Sequence, residues 1–366
     1  MKILHLTTHL NTGGITSYLL TLSKGMVKKG HKIFIASSGG NMEEEFRALG
    51  VHLVNLNIRT KSELNWRIYA ASFSVKKYMK QNEIALIHAH TRITQVMGCL
   101  LDRFAGIPYV STCHGFFKKR LSRRMAPCWG RKVIAISEAV AHHLKQDFNV
   151  QREQISQINN GIDLEQFAEV DEQTKRNLRK DFSIEAEPLI GIVARLSDVK
   201  GQDILIQAMP SIMKEFPQVK LLIVGQGKME SELKHLVEKL NLQKHVLFYP
   251  VVNETKRILI LLDVFIMPSR QEGLGLSVME AMACGIPVVA SNVGGLPALV
   301  QDGKTGLLVQ PDHPEALARA ILQFLRNPSL ASSIAKEAKQ LIERLYSAED
   351  MVKKTLAVYE RLCVTK

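Results

Sequence analysis

Short apolar runs alternate with amphipathic stretches from the first residue onward. The first half holds seven such runs, at residues 2–8, 31–38, 52–58, 84–90, 108–114, 132–137 and 154–162. Each run but the last is followed by a stretch that could form a helix. Apolar runs separated by helices are typical of parallel strands covered on both faces. The pattern therefore predicts an α/β, doubly wound, Rossmann-like domain over residues 1–167.

A polar, charged stretch at 168–187 interrupts this alternation and predicts a linker. The alternation then resumes, with apolar runs at 189–196, 220–227, 245–251, 263–270, 286–295 and 305–311. These runs predict a second Rossmann-like, doubly wound parallel-sheet domain over 188–366, with a helical C-terminal tail. The last predicted helix, about 348–364, carries an apolar stripe that could pack back on the first domain. Ligands bind outside the carboxyl ends of parallel strands, so we expect two such domains to face a ligand across a cleft.

Composition narrows the class of protein. The 366 residues are 46% hydrophobic, and a chain of this length divides into about two domains. No run approaches the ~18 apolar residues of a membrane-spanning helix, and the first residues lack the apolar core of a signal peptide. The five cysteines are scattered, without a CxxC pair or metal-ligand spacing. We expect reduced thiols in a cytoplasmic protein.

Positive charge is concentrated in the first half of the chain. Residues 1–180 hold 27 Lys and Arg against 14 Asp and Glu, whereas residues 181–366 hold 21 of each. The densest segment is 116–125, whose cations alternate with large apolar side chains: Lys118, Lys119, Arg120, Arg123 and Arg124. This mixture suits docking on an anionic membrane surface, although a solvated basic face is an alternative. Nucleic acid is not expected as a partner, because no nucleic-acid motif accompanies the charge.

Residues 271–285 run from a strand end through a glycine turn into a helix. The backbone amides of Gly275, Leu276 and Ser277 at the helix start could hold a diphosphate. Glu272 and Glu280 offer carboxylates to sugar and ribose hydroxyls. For Glu280 a purely structural role is the alternative, because Ser277 and Glu280 also have the spacing of a capping box.

Other candidate residues also follow predicted strands. Arg195 and Lys200 flank a short polar loop and could neutralise a diphosphate leaving group. In the first domain, Gly14 belongs to a glycine turn before a helix, and His114 ends a strand. No dinucleotide fingerprint, phosphate-binding P-loop or Asp-x-Asp pair occurs, so we expect no cofactor and no metal, with fixed cations and amides in the metal's place.

Taken together, these motifs resemble those of the family-4 glycosyltransferases, retaining enzymes of the GT-B architecture. The resemblance rests on the turn at 13–14, NNGID at 159–163, Arg195 with Lys200, VGQG at 224–227, and residues 263–291 with the E-x7-E pair Glu272 and Glu280. It implies that Arg195, Lys200 and the amides at 275–277 hold the donor diphosphate. It further implies that Glu280 binds ribose, Glu272 contacts the donor sugar, Gly14 approaches the phosphate, and His114 lies at the sugar as a catalytic residue.

The expected function is metal-independent transfer of a sugar from a nucleoside-diphosphate sugar to a glycan or glycolipid acceptor. The basic first domain favours a lipid-linked or polysaccharide acceptor at the inner face of a bacterial membrane, in cell-envelope glycan or lipopolysaccharide synthesis. Three alternatives stay open: a nucleotide-sugar epimerase of the same architecture, a soluble-acceptor synthase, and a catalytically silent nucleotide-sugar-binding partner.

Overall fold

The computed structural model describes residues 1–60, 62–63, 65–167, 172–181, 188–252 and 254–364. The chain divides into two compact units. The first unit comprises Met1–Gly161 together with the chain from Ala348, and the second comprises Ile162–Ser347. Each unit is built on one parallel sheet, which confirms the predicted fold class.

The first unit has a sheet of seven parallel strands in the order β3-β2-β1-β4-β5-β6-β7. Its strands are β1 Lys2–Leu6, β2 Lys32–Ser37, β3 His52–Asn55, β4 Leu86–Ala89, β5 Tyr109–Cys113, β6 Lys132–Ala135 and β7 Ile155–Gln157. Its helices up to this point are α1 Gly14–Lys28, α2 Glu43–Ala48, α3 Trp66–Asn82, α4 Arg92–Ala105, α5 Leu121–Met125 and α6 Glu138–Phe148. Each apolar run in this half of the sequence contains one of these strands.

Both faces of this sheet are buried, as the apolar runs predict. Ile3 packs in a hydrophobic cluster with α1, whereas its neighbour Leu4 packs in a second cluster with α3 and α4. Successive side chains of a strand point to opposite faces, so a continuous apolar run fits only a strand covered on both sides. Local signals set the helix ends: Asn65 caps α3 by accepting from the Arg67 amide at 3.0 Å, and Gly106 ends α4 at φ +67°.

The second unit has a sheet of six parallel strands in the order β10-β9-β8-β11-β12-β13. They are β8 Leu189–Val193, β9 Lys220–Val224, β10 Val246–Tyr249, β11 Val264–Met267, β12 Val288–Ser291 and β13 Leu307–Val309. Its helices are α7 Glu172–Asp181, α8 Gln202–Met213, α9 Glu230–Lys239, α10 Thr255–Leu259, α11 Leu276–Ala283, α12 Leu296–Leu299, α13 Pro314–Arg326 and α14 Pro328–Leu345. The final helix of the chain, α15 Ala348–Val364, packs against α1 of the first unit.

Residues 168–187 were expected to form a linker, but the second unit already begins at Ile162. Within that stretch lies helix α7, whose Lys175 and Arg179 pair with Asp263 at 3.1 and 2.7 Å. The Asp263 carboxylate also accepts from the Leu189 amide at 2.8 Å. Ionic contacts, which carry no apolar periodicity, therefore attach this helix to the second unit. Residues 168–171 and 182–187 of the expected linker lie outside the described residues. Among the helices described, none is both long and apolar enough to cross a membrane.

Candidate active site

In the second unit, the loop after β8 holds Arg195 on a fixed backbone. The Leu196 amide donates to the Gln226 carbonyl at 3.0 Å, and the Gln202 side chain donates to the Arg195 carbonyl at 3.0 Å. Gly227 permits this approach, because a Cβ there would lie 2.0 Å from the Leu196 carbonyl oxygen. The Arg195 side chain is exposed and forms no ion pair with any described residue. Its guanidinium is thus available to an anionic ligand.

Lys200 and Glu272 are brought together from two different strand ends. The Lys200 Nζ donates to Glu272 Oε2, and both side chains are largely buried. Gly201 directs the chain from this lysine into α8 with φ +68°. A Cβ at Gly201 would lie 1.9 Å from the Pro268 carbonyl oxygen, so the two loops touch backbone to backbone. The predicted phosphate-binding lysine and sugar-binding glutamate therefore form one ion pair.

Arg270, which the sequence analysis did not identify, joins these two loops through hydrogen bonds. Its amide donates to the Val199 carbonyl at 2.8 Å, and its guanidinium donates to the Asp198 carbonyl at 2.7 Å. The same guanidinium binds both carboxylate oxygens of Asp203, at 2.9 and 2.7 Å. These hydrogen bonds raise the pKa of Arg270 above its ordinary value. The only sequence signal was its position two residues before Glu272 at a strand end.

Helix α11 begins without a side-chain cap. Its N-cap is Gly275 at φ +102°, where a non-glycine residue would be strained. Because Gly275 holds that position, Ser277 lies inside the first turn, and the expected capping box with Glu280 does not form. That structural alternative for Glu280 is wrong. The first-turn amides, including those of Leu276 and Ser277, have no intrahelical acceptor and present an anion-binding helix end.

Glu280 instead lies on the second turn of α11, where its carboxylate accepts a hydrogen bond from Thr255 Oγ1 at 2.9 Å. Burial raises the pKa of Glu280 to about 7. In its protonated form, which makes up about half of the molecules near pH 7, this carboxyl can both donate to and accept from the hydroxyls of a bound ligand.

In the first unit, the glycine turn before α1 is braced by a neighbouring loop. The Thr12 amide donates to Asn41 Oδ1 at 2.9 Å, and the Asn41 side chain donates to Thr12 Oγ1 at 3.0 Å. Helix α1 begins at the exposed Gly14 and has no side-chain cap. Its N-terminal amides are therefore open to an anionic group.

His114 lies just beyond β5 and belongs to a histidine cluster that the sequence analysis did not identify. Its Nε2 is 3.2 Å from His90 Nδ1, and His90 Nε2 is 3.0 Å from His5 Nδ1. Burial lowers the pKa of His114 and of His5 to about 3 and places that of His90 well below its ordinary value. These imidazoles are neutral at pH 7. The signal was present in the sequence, because the histidines of β1 and β4 occupy adjacent strands of a parallel sheet.

The cluster has the ligand spacing of a metal site, since nitrogens of His5, His88 and His90 lie within 4.8 Å of one another. The hydrogen bonds of the cluster indicate that these histidines form a network with one another and with neighbouring hydroxyls. His88 binds Tyr359 OH at 2.5 Å and Thr112 Oγ1 at 2.6 Å, so both its ring nitrogens are occupied. Both ring nitrogens of His90 are likewise occupied, by His5 and His114. The geometry is that of a hydrogen-bonded network that orients His114.

The basic segment 116–125 contains one residue that cannot serve as expected. Arg123 is buried, with its guanidinium 3.8 Å from the centre of the Phe117 ring, and burial lowers the pKa of Arg123 to about 10. Its assignment to a membrane-docking surface is therefore wrong, because cation–π packing places it inside the unit. Lys119 is exposed and pairs with Asp147 at 2.7 Å. Lys118, Arg120 and Arg124 are exposed.

Each half of the chain matches a model of a known protein family. Residues 12–166 match the model described as Glycosyltransferase Family 4, and residues 174–341 match the model described as Glycosyl transferases group 1. A D-inositol 3-phosphate glycosyltransferase of Corynebacterium urealyticum is 28% identical over 96% of this chain and 91% of its own. A GDP-mannose-dependent alpha-(1-6)-phosphatidylinositol monomannoside mannosyltransferase of Mycolicibacterium smegmatis is 34% identical over 48% of each chain.

Among solved structures, the Anabaena protein HepE in complex with UDP-glucose has a TM-score of 0.88 with 23% identity. The similarity covers 99% of this chain and 100% of that one. The fold agrees with the two-sheet architecture described above, and the sequence matches extend over both units. The chain thus belongs to the family-4 glycosyltransferases of the GT-B fold.

Proposed function

We propose that the chain transfers a sugar from a nucleoside-diphosphate sugar to an acceptor hydroxyl, with retention of anomeric configuration and without a metal ion. The observation that carries this proposal is the Lys200–Glu272 ion pair, in which Lys200 comes from the loop after β8 and Glu272 from the loop that precedes the uncapped start of α11. An ammonium group has three donor hydrogens, so Lys200 can bind phosphate oxygens while it still donates to Glu272.

Departure of the diphosphate is the step that these groups assist. Negative charge grows on the phosphate oxygens as the glycosidic bond breaks, and Lys200, Arg195 and the α11 amides supply fixed positive charge for it. Preorganised donors of this kind lower a barrier by about 3 to 4 kcal/mol each. These groups can thereby neutralise the charge of the diphosphate, as a divalent cation does in other diphosphate sites. Because the pKa of Glu280 is raised to about 7, this carboxyl repels the incoming diphosphate less than a fully ionised one does.

The remaining site residues bind the sugar and ribose. We assign Glu280 to the ribose hydroxyls, Glu272 to the donor sugar, Gly14 to the phosphate and His114 to the sugar. The assignments of Gly14 and His114 rest on the family resemblance. For His114, the network with His90 and His5 adds support, because a neutral imidazole fixed in one tautomer binds a hydroxyl in a defined direction.

A thermal-shift screen with UDP, GDP, ADP and dTDP, each with and without EDTA, tests donor binding. A ligand that binds only the folded state raises the melting temperature. One nucleotide giving a shift that EDTA leaves intact identifies the donor base and supports metal-free binding. The relatives leave this base open, since one is named for GDP-mannose and HepE was solved with UDP-glucose. A shift that EDTA abolishes contradicts the metal-free proposal.

Product analysis separates the alternatives. Incubation with donor alone detects a nucleotide-sugar epimerase, which converts the donor without an acceptor. The anomeric coupling constant of the transferred sugar reports retention or inversion. A protein that binds the nucleotide and turns over no donor with any acceptor is the silent partner. A soluble-acceptor synthase, by contrast, turns over without lipid.

We propose a lipid-linked or polysaccharide acceptor at the cytoplasmic face of a bacterial membrane, in cell-envelope glycan synthesis. The exposed cations Lys118, Arg120 and Arg124 support this, as does the phosphatidylinositol-based acceptor in the name of the Mycolicibacterium relative. Sedimentation with vesicles tests it: wild type should bind anionic vesicles more tightly than neutral ones, and Ala at Lys118, Lys119 and Arg120 should weaken that binding. Equal sedimentation with both vesicle types contradicts the proposal.

A further inference from the structure

Helix α3 exposes three aromatic side chains on one face. Trp66 is 71% exposed, Phe73 72% and Tyr69 39%. At about 3.6 residues per turn these three positions share a face, and the buried residues Ile68 and Val75 lie on the opposite one. A helix at the surface of a soluble protein normally presents polar side chains to water. This face instead offers a continuous apolar strip.

Helix α4 widens the strip. Phe104 of α4 is 59% exposed, and with Leu100 it forms one wall of a groove whose other wall is Tyr69 and Phe73. Lys76 also lines this groove. Clustered exposed aromatics mark an interaction site, whereas isolated ones do not.

The charge around the strip is of one sign. Among its 17 residues α3 has four cations, Arg67, Lys76, Lys77 and Lys80, and no acid. Nearby acids are each neutralised by a cation outside the strip: Glu63 by Arg92, Glu83 by Lys2, and Asp102 by Arg131, at 2.6, 2.6 and 2.8 Å. The α3 cations form no ion pair with a described residue. Their charge is therefore unopposed.

We propose that the surface formed by Trp66, Tyr69, Phe73 and Phe104, with the cations of α3, inserts into the headgroup region of an anionic bilayer. Aromatic rings prefer the boundary between headgroups and acyl chains, and neighbouring cations bind anionic headgroups. The unit that carries this surface has 27 Lys and Arg against 12 Asp and Glu, so its net charge favours the same partner. A symmetric contact between two copies would place the α3 cations of one opposite those of the other, which like-charge repulsion opposes.

Within the unit, α3 is joined to the basic segment 116–125. Arg92 donates to Glu63, just before α3, and to the carbonyls of Ala126 and Pro127, just after α5, at 2.6, 2.7 and 2.8 Å. The exposed Leu121 and Met125 of α5 therefore belong to the neighbourhood of α3. This surface deepens the proposed membrane location and rests on it for its purpose, but vesicle binding is measured without sugar transfer.

Tryptophan fluorescence gives a direct test, because the chain has only two tryptophans and Trp129 is buried. Vesicles with about one-third anionic lipid should shift the emission of the full-length protein to the blue, and brominated lipid should quench it. In W66F this response should disappear while sedimentation with the vesicles persists. A response that survives in W66F arises from Trp129 and overturns the insertion of α3.

Binding itself is tested with the double variant W66S/F73S, whose side chains are exposed, so that circular dichroism should show an unchanged fold. We expect its affinity for anionic vesicles to fall at least about tenfold, given the apolar area withdrawn from the bilayer. The matched control L330S/L345S removes exposed apolar side chains of α14 in the second unit and should leave affinity unchanged. K76Q/K77Q/K80Q should weaken binding about fivefold per cation and reduce its salt dependence.

Three results overturn the proposal: equal binding to neutral and anionic vesicles, W66S/F73S binding like wild type, or a doubled mass in light scattering that W66S/F73S abolishes. The last would make this face a contact between copies. The nucleotide thermal shift, measured on the same proteins, keeps the proposed function separate. Loss of vesicle binding with an intact nucleotide shift in W66S/F73S supports the surface, and vesicle binding without any nucleotide shift contradicts only the donor proposal.

Discussion

Substitution of Gly201 by Ala tests the close approach that holds Lys200 beside Glu272. Gly201 adopts φ +68°, and its missing side chain makes room for the Pro268 carbonyl oxygen, which an added Cβ would approach to 1.9 Å. Real Cβ atoms do not come closer than 3.0 Å to such an atom, so one backbone must move by about 1 Å. That movement separates the two loops that carry the ion pair.

Two contributions set the magnitude. A left-handed conformation costs a residue with a Cβ about 1 to 2 kcal/mol relative to glycine. Forcing atoms into packed space costs about 1 to 3 kcal/mol more. G201A should thus lower the free energy of unfolding by about 2 to 5 kcal/mol. Activity should fall as well, because Lys200 is the next residue and moves with the loop.

Gly303 is the matched control. It has the same φ of +68°, lies in the same unit, and has nothing within 4 Å of the position a Cβ would take. G303A should therefore lower the free energy of unfolding by only about 1 to 2 kcal/mol, which is the cost of the left-handed conformation. Urea denaturation, monitored by far-UV circular dichroism, measures the free energy of unfolding of both variants. If G201A and G303A lower the free energy of unfolding equally, the contact with Pro268 is not rigid, and the argument that it positions Lys200 is refuted.

Three further predictions concern the site residues. K200A and R195A should each raise the transfer barrier by about 3 to 4 kcal/mol, seen in steady-state kcat, whereas near-normal turnover would mean the diphosphate binds elsewhere. Burial raises the pKa of Glu280 to about 7, so unfolding free energy should decrease as pH rises from 4.5 toward 7, and E280Q should remove that dependence. H90N should lower kcat by disorienting His114. Because burial lowers the pKa of His114 to about 3, the pH profile of kcat measured in E280Q, where Glu280 no longer titrates, should show no histidine titration between about pH 5 and pH 8.

The strands and both sheets could be predicted from the sequence because strands buried on both faces leave short continuous apolar runs, and these alternate with amphipathic stretches long enough for helices. The same logic singled out Lys200 and Glu272 as candidate ligand contacts, since loops at strand ends carry the ligand contacts of such sheets, but only the structure shows that the two form an ion pair. Helix α7 was not predicted, because it is attached through Lys175 and Arg179 to Asp263 and ionic contacts leave no periodic pattern in the sequence.

Side-chain orientation accounts for what the sequence could not decide. Ser277 and Glu280 have capping-box spacing, but the N-cap is Gly275, two residues before the position that a serine cap would require. Arg123 reads as one more cation of a basic segment, yet it lies against Phe117. The aromatic face of α3 has helical spacing that is equally compatible with a buried face. Only the packed structure shows which side of each helix faces the core.

The distribution of charge between the two units follows from the ligands proposed for them. A diphosphate is compact, and it is stabilised by a few donors held in fixed positions, so the second unit needs only Lys200, Arg195 and one helix end, and its 21 cations nearly balance 23 acids. An anionic surface is extended, and it attracts any cation within about a Debye length regardless of orientation. If the first unit docks on such a surface as proposed, its net positive charge attracts the surface, and the exposed aromatic rings of α3, which act only on contact, set the depth and direction of docking.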